Sequence, residues 1–182
     1  MDIFLVRHGE AAARWHESDD PGLSELGRQQ AAAAARQLLD RIPPAIRLLS
    51  SPMQRARETA APLAAALGNE PAIVEPFREI PTPVAIDERQ TWLNRIARQT
   101  WSEQHAMVRD WREALLTALR GIREPTVVFT HFMVLNVIVG ALQADDRVVT
   151  FLPDNASVTT LSGFGDELQL AELGRQFRTR VN

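Results

Sequence analysis

Four stretches of the chain are apolar without alternation: Ile3-Phe4-Leu5-Val6, Ile46-Arg47-Leu48-Leu49, Ala72-Ile73-Val74 and Val127-Val128-Phe129. Runs this short, rich in branched and aromatic residues, predict strands buried on both faces, as in a parallel sheet. Between and after them the period lengthens to three and four. Ser24 caps a predicted helix that carries Glu25 and runs through the alanines to Leu39, ahead of Pro43-Pro44. Ser51-Pro52 predicts a second helix start and sets Arg55 in its first turn. The 81–125 section is read as helical. Its stripe of Met107, Val108, Trp111, Leu115, Leu119 and Ile122 lies on the core, as do Trp92 and Trp101, while His105 is a surface residue. A further apolar helix spans about 132–142. A C-terminal hairpin forms around Gly163 and Gly165, and the arginine-rich tail after Gly174 frays. The pattern predicts one α/β domain over residues 1–182, three layers (α/β/α) around a central, mostly parallel sheet.

Composition narrows the chemistry. The 182 residues are 45% hydrophobic and 24% charged, enough for one core covered on both faces. There is no cysteine, which removes disulfides, thiolate nucleophiles and cysteine-bound metals. All basic residues are arginine, so a P-loop lysine is excluded. A net charge of -3 without a basic tract argues against nucleic acid as a partner. No apolar run is long enough for a membrane span and the N-terminus carries no leader pattern, so a cytoplasmic location is expected, with no membrane partner.

Candidate chemistry sits at strand ends. The first run breaks into Arg7-His8-Gly9-Glu10, where Gly9 is expected to let the chain turn tightly behind the imidazole. The fourth ends in His131. In open α/β sheets ligands bind outside the carboxyl ends of strands, which is where two histidines and Arg55 would meet. Two guanidinium groups and two imidazoles, with no metal-ligand spacing, make a pocket suited to a phosphoryl group.

The Arg7-His8-Gly9-Glu10 segment, the Ser51–Ala60 segment with Arg55, the loop around Glu79 and the strand ending at His131 resemble, in order, the histidine phosphatase superfamily, its phosphoglycerate-mutase-like phosphatase branch. The resemblance implies a phosphomonoesterase acting on a small phosphorylated metabolite through a phosphohistidine on His8. Arg7, Gly9, Arg55 and His131 would hold the phosphate, and Glu79, with Glu75 as its rival, would donate the proton. No cofactor and no metal are implied, and the helical segment at about 81–125 would cap the site. Relatives follow the motif glutamate with a threonine and a Trp-Asn pair. Here Ala11-Ala12-Ala13-Arg14 stand there, with Arg14 or His16 as substitutes in binding substrate. Where the family prefers glycines after the second histidine, Phe132 and Met133 narrow the pocket mouth. The short length favours a hydrolase over a phosphomutase, and a catalytically weak phospho-ligand module is the reading from another class. An apolar face on the Phe132 helix would suit a homodimer.

Overall fold

The computed structural model describes residues 2–14 and 17–177. Six strands form one sheet: β1 (Asp2–Arg7), β2 (Arg47–Ser50), β3 (Ala72–Ile73), β4 (Thr126–Thr130), β5 (Val158–Ser162) and β6 (Gln169–Glu172). Their order is β3-β2-β4-β1-β5-β6. Parallel pairing joins β1 to β4, β4 to β2 and β2 to β3, while β5 and β6 close the other edge antiparallel. The sheet is therefore mixed, with its site-bearing strands parallel. Helices α1 (Glu25–Leu39), α2 (Gln54–Leu67), α3 (Arg89–Ile96), α4 (Ala106–Arg120) and α5 (Phe132–Leu142) flank it.

Alternation along β1 divides the core. Phe4 and Val6 pack with Leu48, Val127 and Phe129 against Leu38 of α1 and Leu63 of α2. Ile3 and Leu5 face the other way, into a larger cluster with Val128, Leu115 of α4 and Leu135 of α5. The continuous apolar run follows from this, since neither face of the strand meets water. Trp92 and Trp101 are both buried in the larger cluster, whereas His105 is exposed and caps α4 by accepting from the Met107 N–H.

Four local expectations are corrected. Helix α2 begins at Gln54, not Pro52: Ser51 Oγ accepts from Met53 N–H at 3.2 Å, and the free N–H of Gln54 is taken by Asp20 Oδ1 at 2.8 Å. Gly9 does not adopt a positive φ. It is required by proximity instead, since a Cβ there would stand 2.5 Å from Gly27 O, and one on Gly27 would stand 2.1 Å from Glu10 O. Residues 133–140 of α5 are buried all round within the chain, so that helix offers no apolar face for a homodimer. The chain after Gly174 is tied down through Phe177: Arg175 Nε donates to Asp154 Oδ2 at 2.8 Å and Phe177 N–H to Leu152 O at 3.1 Å. Residues 178–182 of that tail lie outside the described residues.

Alanine favours a helix over glycine by about 1 kcal/mol. At Gly27 the backbone clash outweighs this, and Gly27→Ala is expected to destabilise the protein by about 1–3 kcal/mol. The measurement is the urea midpoint at constant m-value.

Candidate active site

β1 and β4 lie side by side with Arg7 opposite Thr130, so the residues that follow them, His8 and His131, emerge together. His8 N–H donates to Thr130 O at 2.8 Å, and the two rings stand 5.2 Å apart, tilted by 60°. From β2, the Ser50–Met53 turn swings the start of α2 over the same end of the sheet, bringing Arg55 in. Arg55 is 3% exposed, and its Nε–H donates to His8 Nε2 at 3.2 Å.

This contact fixes the tautomer. His8 Nδ1 lies 2.7 Å from Gly9 O, an acceptor, so Nδ1 holds the proton and Nε2 keeps its lone pair. Burial first, then the Arg55 and Arg7 charges, push the His8 pKa well below 6.5, so the ring is neutral. His131 is lowered for the same leading reason and is fully buried. Its Nε2 is 2.7 Å from Ser51 Oγ, and among the described residues the buried hydroxyl has no other acceptor for its hydrogen. The ring proton then sits on Nδ1. Among the described residues that atom, Arg7 Nε and Arg55 Nη1 are buried with no hydrogen-bond partner, Arg55 Nη1 having Asp20 Oδ1 as an ion-pair neighbour at 3.9 Å. A buried donor without a partner costs about 1–3 kcal/mol, so three of them around one imidazole mark a place built for an acceptor-rich anion.

Glu79 lines the same cavity, and Glu75 does not: it is exposed and ion-paired to Arg78 at 2.7 Å. Glu79 Oε1 accepts from Ile80 N–H at 3.0 Å and from Met133 N–H at 3.2 Å, in the first turn of α5. Burial raises its pKa above 4.5 against these two bonds and the nearby arginines. The cavity encloses about 580 Å³. His8, Arg7 and Arg55 form its floor, and Gln90, Leu93 and Asn94 of α3 line it from the cap section.

The remaining expected site residues divide. Phe132 lines the cavity, with the Arg7 guanidinium 5.3 Å from its ring centre, and Arg7 Nη1 donates to Pro153 O at 2.7 Å. The Gly9 N–H donates to Thr59 Oγ1 at 3.0 Å, so it is occupied within the chain. Arg14 is exposed and off the cavity wall, its N–H bound to Glu17 Oε2 at 3.0 Å. His16 lies outside the described residues. His131 stands beside His8 rather than on the wall. Sequence reasoning missed Thr59. Its hydroxyl donates to Arg55 O at 2.7 Å while accepting from Gly9, so one buried side chain ties the His8 turn to the Arg55 helix. A threonine four residues beyond Arg55, on the same helix face, was the available signal. The α3 wall and Phe177 gave none.

A mostly parallel α/β sheet carrying paired histidines and arginines at its strand ends defines a phosphoryl-binding class of protein. The family model of the histidine phosphatase superfamily (branch 1) matches residues 3–176, and the chain belongs to that superfamily. A mycobacterial glucosyl-3-phosphoglycerate phosphatase in complex with VO3 is 25% identical with a TM-score of 0.72, covering 96% of this chain and 99% of the other. A phosphoserine phosphatase from Entamoeba histolytica in complex with 3-phosphoglyceric acid shares the fold at 19% identity and a TM-score of 0.73, covering 96% and 97%. A 2,3-bisphosphoglycerate-dependent phosphoglycerate mutase of Chelativorans sp. (strain BNC1) is 33% identical over 124 residues, 62% of this chain. The match spans 55% of that relative's length. The superfamily thus includes phosphatases and mutases like this chain. Among the described residues no group of three or more histidines or carboxylates is placed to hold a metal, and no helix is long and apolar enough to cross a membrane.

Thr59→Val leaves the Gly9 N–H buried without an acceptor. It is expected to cost about 1–3 kcal/mol of stability in urea unfolding. Turnover should fall as well, because the His8–Arg55 distance is no longer pinned.

Proposed function

We propose that the protein is a phosphomonoesterase that works through a phosphohistidine on His8. The observation that carries this reading is the His8 Nε2 lone pair, held by the Nδ1 contact to Gly9 O and surrounded by Arg7, Arg55 and His131 nitrogens that have no hydrogen-bond partner. Nε2 attacks phosphorus in line, forming the N–P bond as the ester P–O bond breaks. An incoming phosphoryl oxygen replaces His8 Nε2 as the acceptor for Arg55, and Arg7, Arg55 and His131 Nδ1 bind the oxygens on which charge changes. Glu79 gives its proton to the departing alkoxide. Its carboxylate then takes a proton from water as that water attacks the phosphohistidine, releasing phosphate and restoring both groups. The section around α3 acts as the cap over the leaving alcohol.

Hydrolysis is favoured over mutase chemistry by similarity to a phosphatase across nearly the whole chain, against a partial match to the mutase. The fate of the phosphoryl group separates them: a mutase returns it to an alcohol, and a hydrolase gives it to water. In labelled substrate, free phosphate is the expected product. His8→Ala should lower its release at least about a thousandfold and abolish an acid-labile, alkali-stable label on the protein. Unchanged release in His8→Ala would end this reading.

Protonation sets the pH window. The His8 pKa is lowered, so the nucleophile stays neutral well below pH 6.5. The Glu79 pKa is raised, so the acid persists above the ordinary 4.5 and is lost as pH rises through the raised value. The profile of kcat/KM should therefore fall on its alkaline side. Glu79→Gln is expected to remove that limb and to slow alkyl esters by about 10²–10⁴-fold, with much less effect on 4-nitrophenyl phosphate, whose leaving group needs no proton.

A further inference from the structure

The cavity extends well beyond the space around His8. At about 580 Å³ it is in the middle of the range of about 300–1,000 Å³ that takes a sizeable organic ligand. Beyond the phosphoryl-facing groups its wall is largely apolar: Leu93, Ile96 and Ala97 from the cap side, Phe132, Val149 and Leu152 opposite. Among the described residues lining it, the permanent cations are Arg7 and Arg55 alone, and the proposed reaction engages both with the phosphoryl group. Of the carboxyl groups on the wall, Glu10 would repel a second anion, and Glu79, which carries its proton when substrate binds, offers one no cation. Arg89, at the start of α3, is held by Asp19 Oδ1 at 2.6 Å.

Neutral hydrogen-bonding capacity is present on α3. Gln90 Nε2 donates to Asn94 Oδ1 at 3.0 Å. That bond leaves the Asn94 amide hydrogens and the Gln90 carbonyl oxygen to serve a ligand, one donor group and one acceptor side by side on the wall.

We propose that the substrate is the phosphomonoester of an uncharged, largely apolar alcohol larger than a three-carbon acid, with its body against Leu93, Ala97 and Phe132 and a neutral polar group at Gln90–Asn94. This inference rests on the phosphomonoesterase reading and names the substrate class of the same site. A carboxylated alcohol such as glycerate finds no cation on this wall, and its desolvated carboxylate meets leucine and glutamate instead. Glycosyl or glyceryl esters without an apolar part leave most of the wall uncovered.

The experiment compares esters whose leaving groups are matched as alkyl alcohols: 2-phenylethyl phosphate, glycerol 3-phosphate and 3-phosphoglycerate, on the full chain. The phenylethyl ester is expected to exceed 3-phosphoglycerate in kcat/KM on the order of 10- to 100-fold, with the difference mainly in KM, and glycerol 3-phosphate to fall between them. Asn94 is exposed on α3, so Asn94→Arg adds a cation to the wall without disturbing packing, which a thermal melt checks. The variant should shift the ratio toward 3-phosphoglycerate by about tenfold. Ala97→Arg, one turn on and also exposed, should shift it in the same direction. Equal or better turnover of 3-phosphoglycerate by the unaltered protein would overturn the inference while leaving the phosphatase reading in place. So would a ratio unmoved by both folded arginine variants. Turnover of none of the three esters, nor of 4-nitrophenyl phosphate, would bring down the phosphatase reading and this inference together.

Discussion

The parallel hydrogen bonding of β1 to β4 is the constraint on which the site depends. Because Arg7 is opposite Thr130 in this ladder, His8 and His131 leave the sheet as neighbours, and the His8 N–H is satisfied by Thr130 O before any ligand is considered. A slip of one residue would send every side chain of the strand to the opposite face, exchanging Phe4 and Val6 for Ile3 and Leu5 in two differently shaped halves of the core. The apolar packing on both faces therefore enforces the position of the imidazoles. The place of the proposed nucleophile is set by well-buried strands.

Around that pair, hydrogen bonds settle protonation rather than add much stability. Gly9 O holds the His8 proton on Nδ1, Ser51 directs the His131 proton to Nδ1, and Arg55 is directed at His8 Nε2. Burial keeps both rings neutral, the state in which a histidine can attack phosphorus, and pushes the Glu79 pKa upward in the same cavity. One physical cause, desolvation, thus prepares a base and an acid in a single hollow. It acts in opposite directions because the charged forms it disfavours carry opposite signs.

Much of this was legible in the order of residues. Unbroken apolar runs identify β1 and β4, because strands covered on both faces have no reason to alternate. Their abrupt ends at Arg7-His8 and His131 locate the site. What could not be read was decided by contacts distant in sequence. The Ser51-Pro52 signal for a helix start failed because Ser51 serves His131, eighty residues on, and Asp20 reaches the α2 terminus from the preceding loop. Gly9 is a glycine because of α1 and not because of its own dihedral angle. The α3 wall stayed hidden because Gln90, Leu93, Asn94 and Ala97 share a helical face that is mixed polar and apolar and reads as an ordinary surface; only the distant strand ends make it the side of a cavity, with Trp92 turned into the core.

The meeting of Gly9 and Gly27 restricts how this chain can drift over evolutionary time. Each missing Cβ would collide with a main-chain oxygen of the other segment, and every residue type brings the same main chain. No compensating change of a neighbouring side chain can open that gap, so the two positions are locked independently. The loop that follows His8 is thereby moored to α1 by two absences, which tolerate no gradual remodelling.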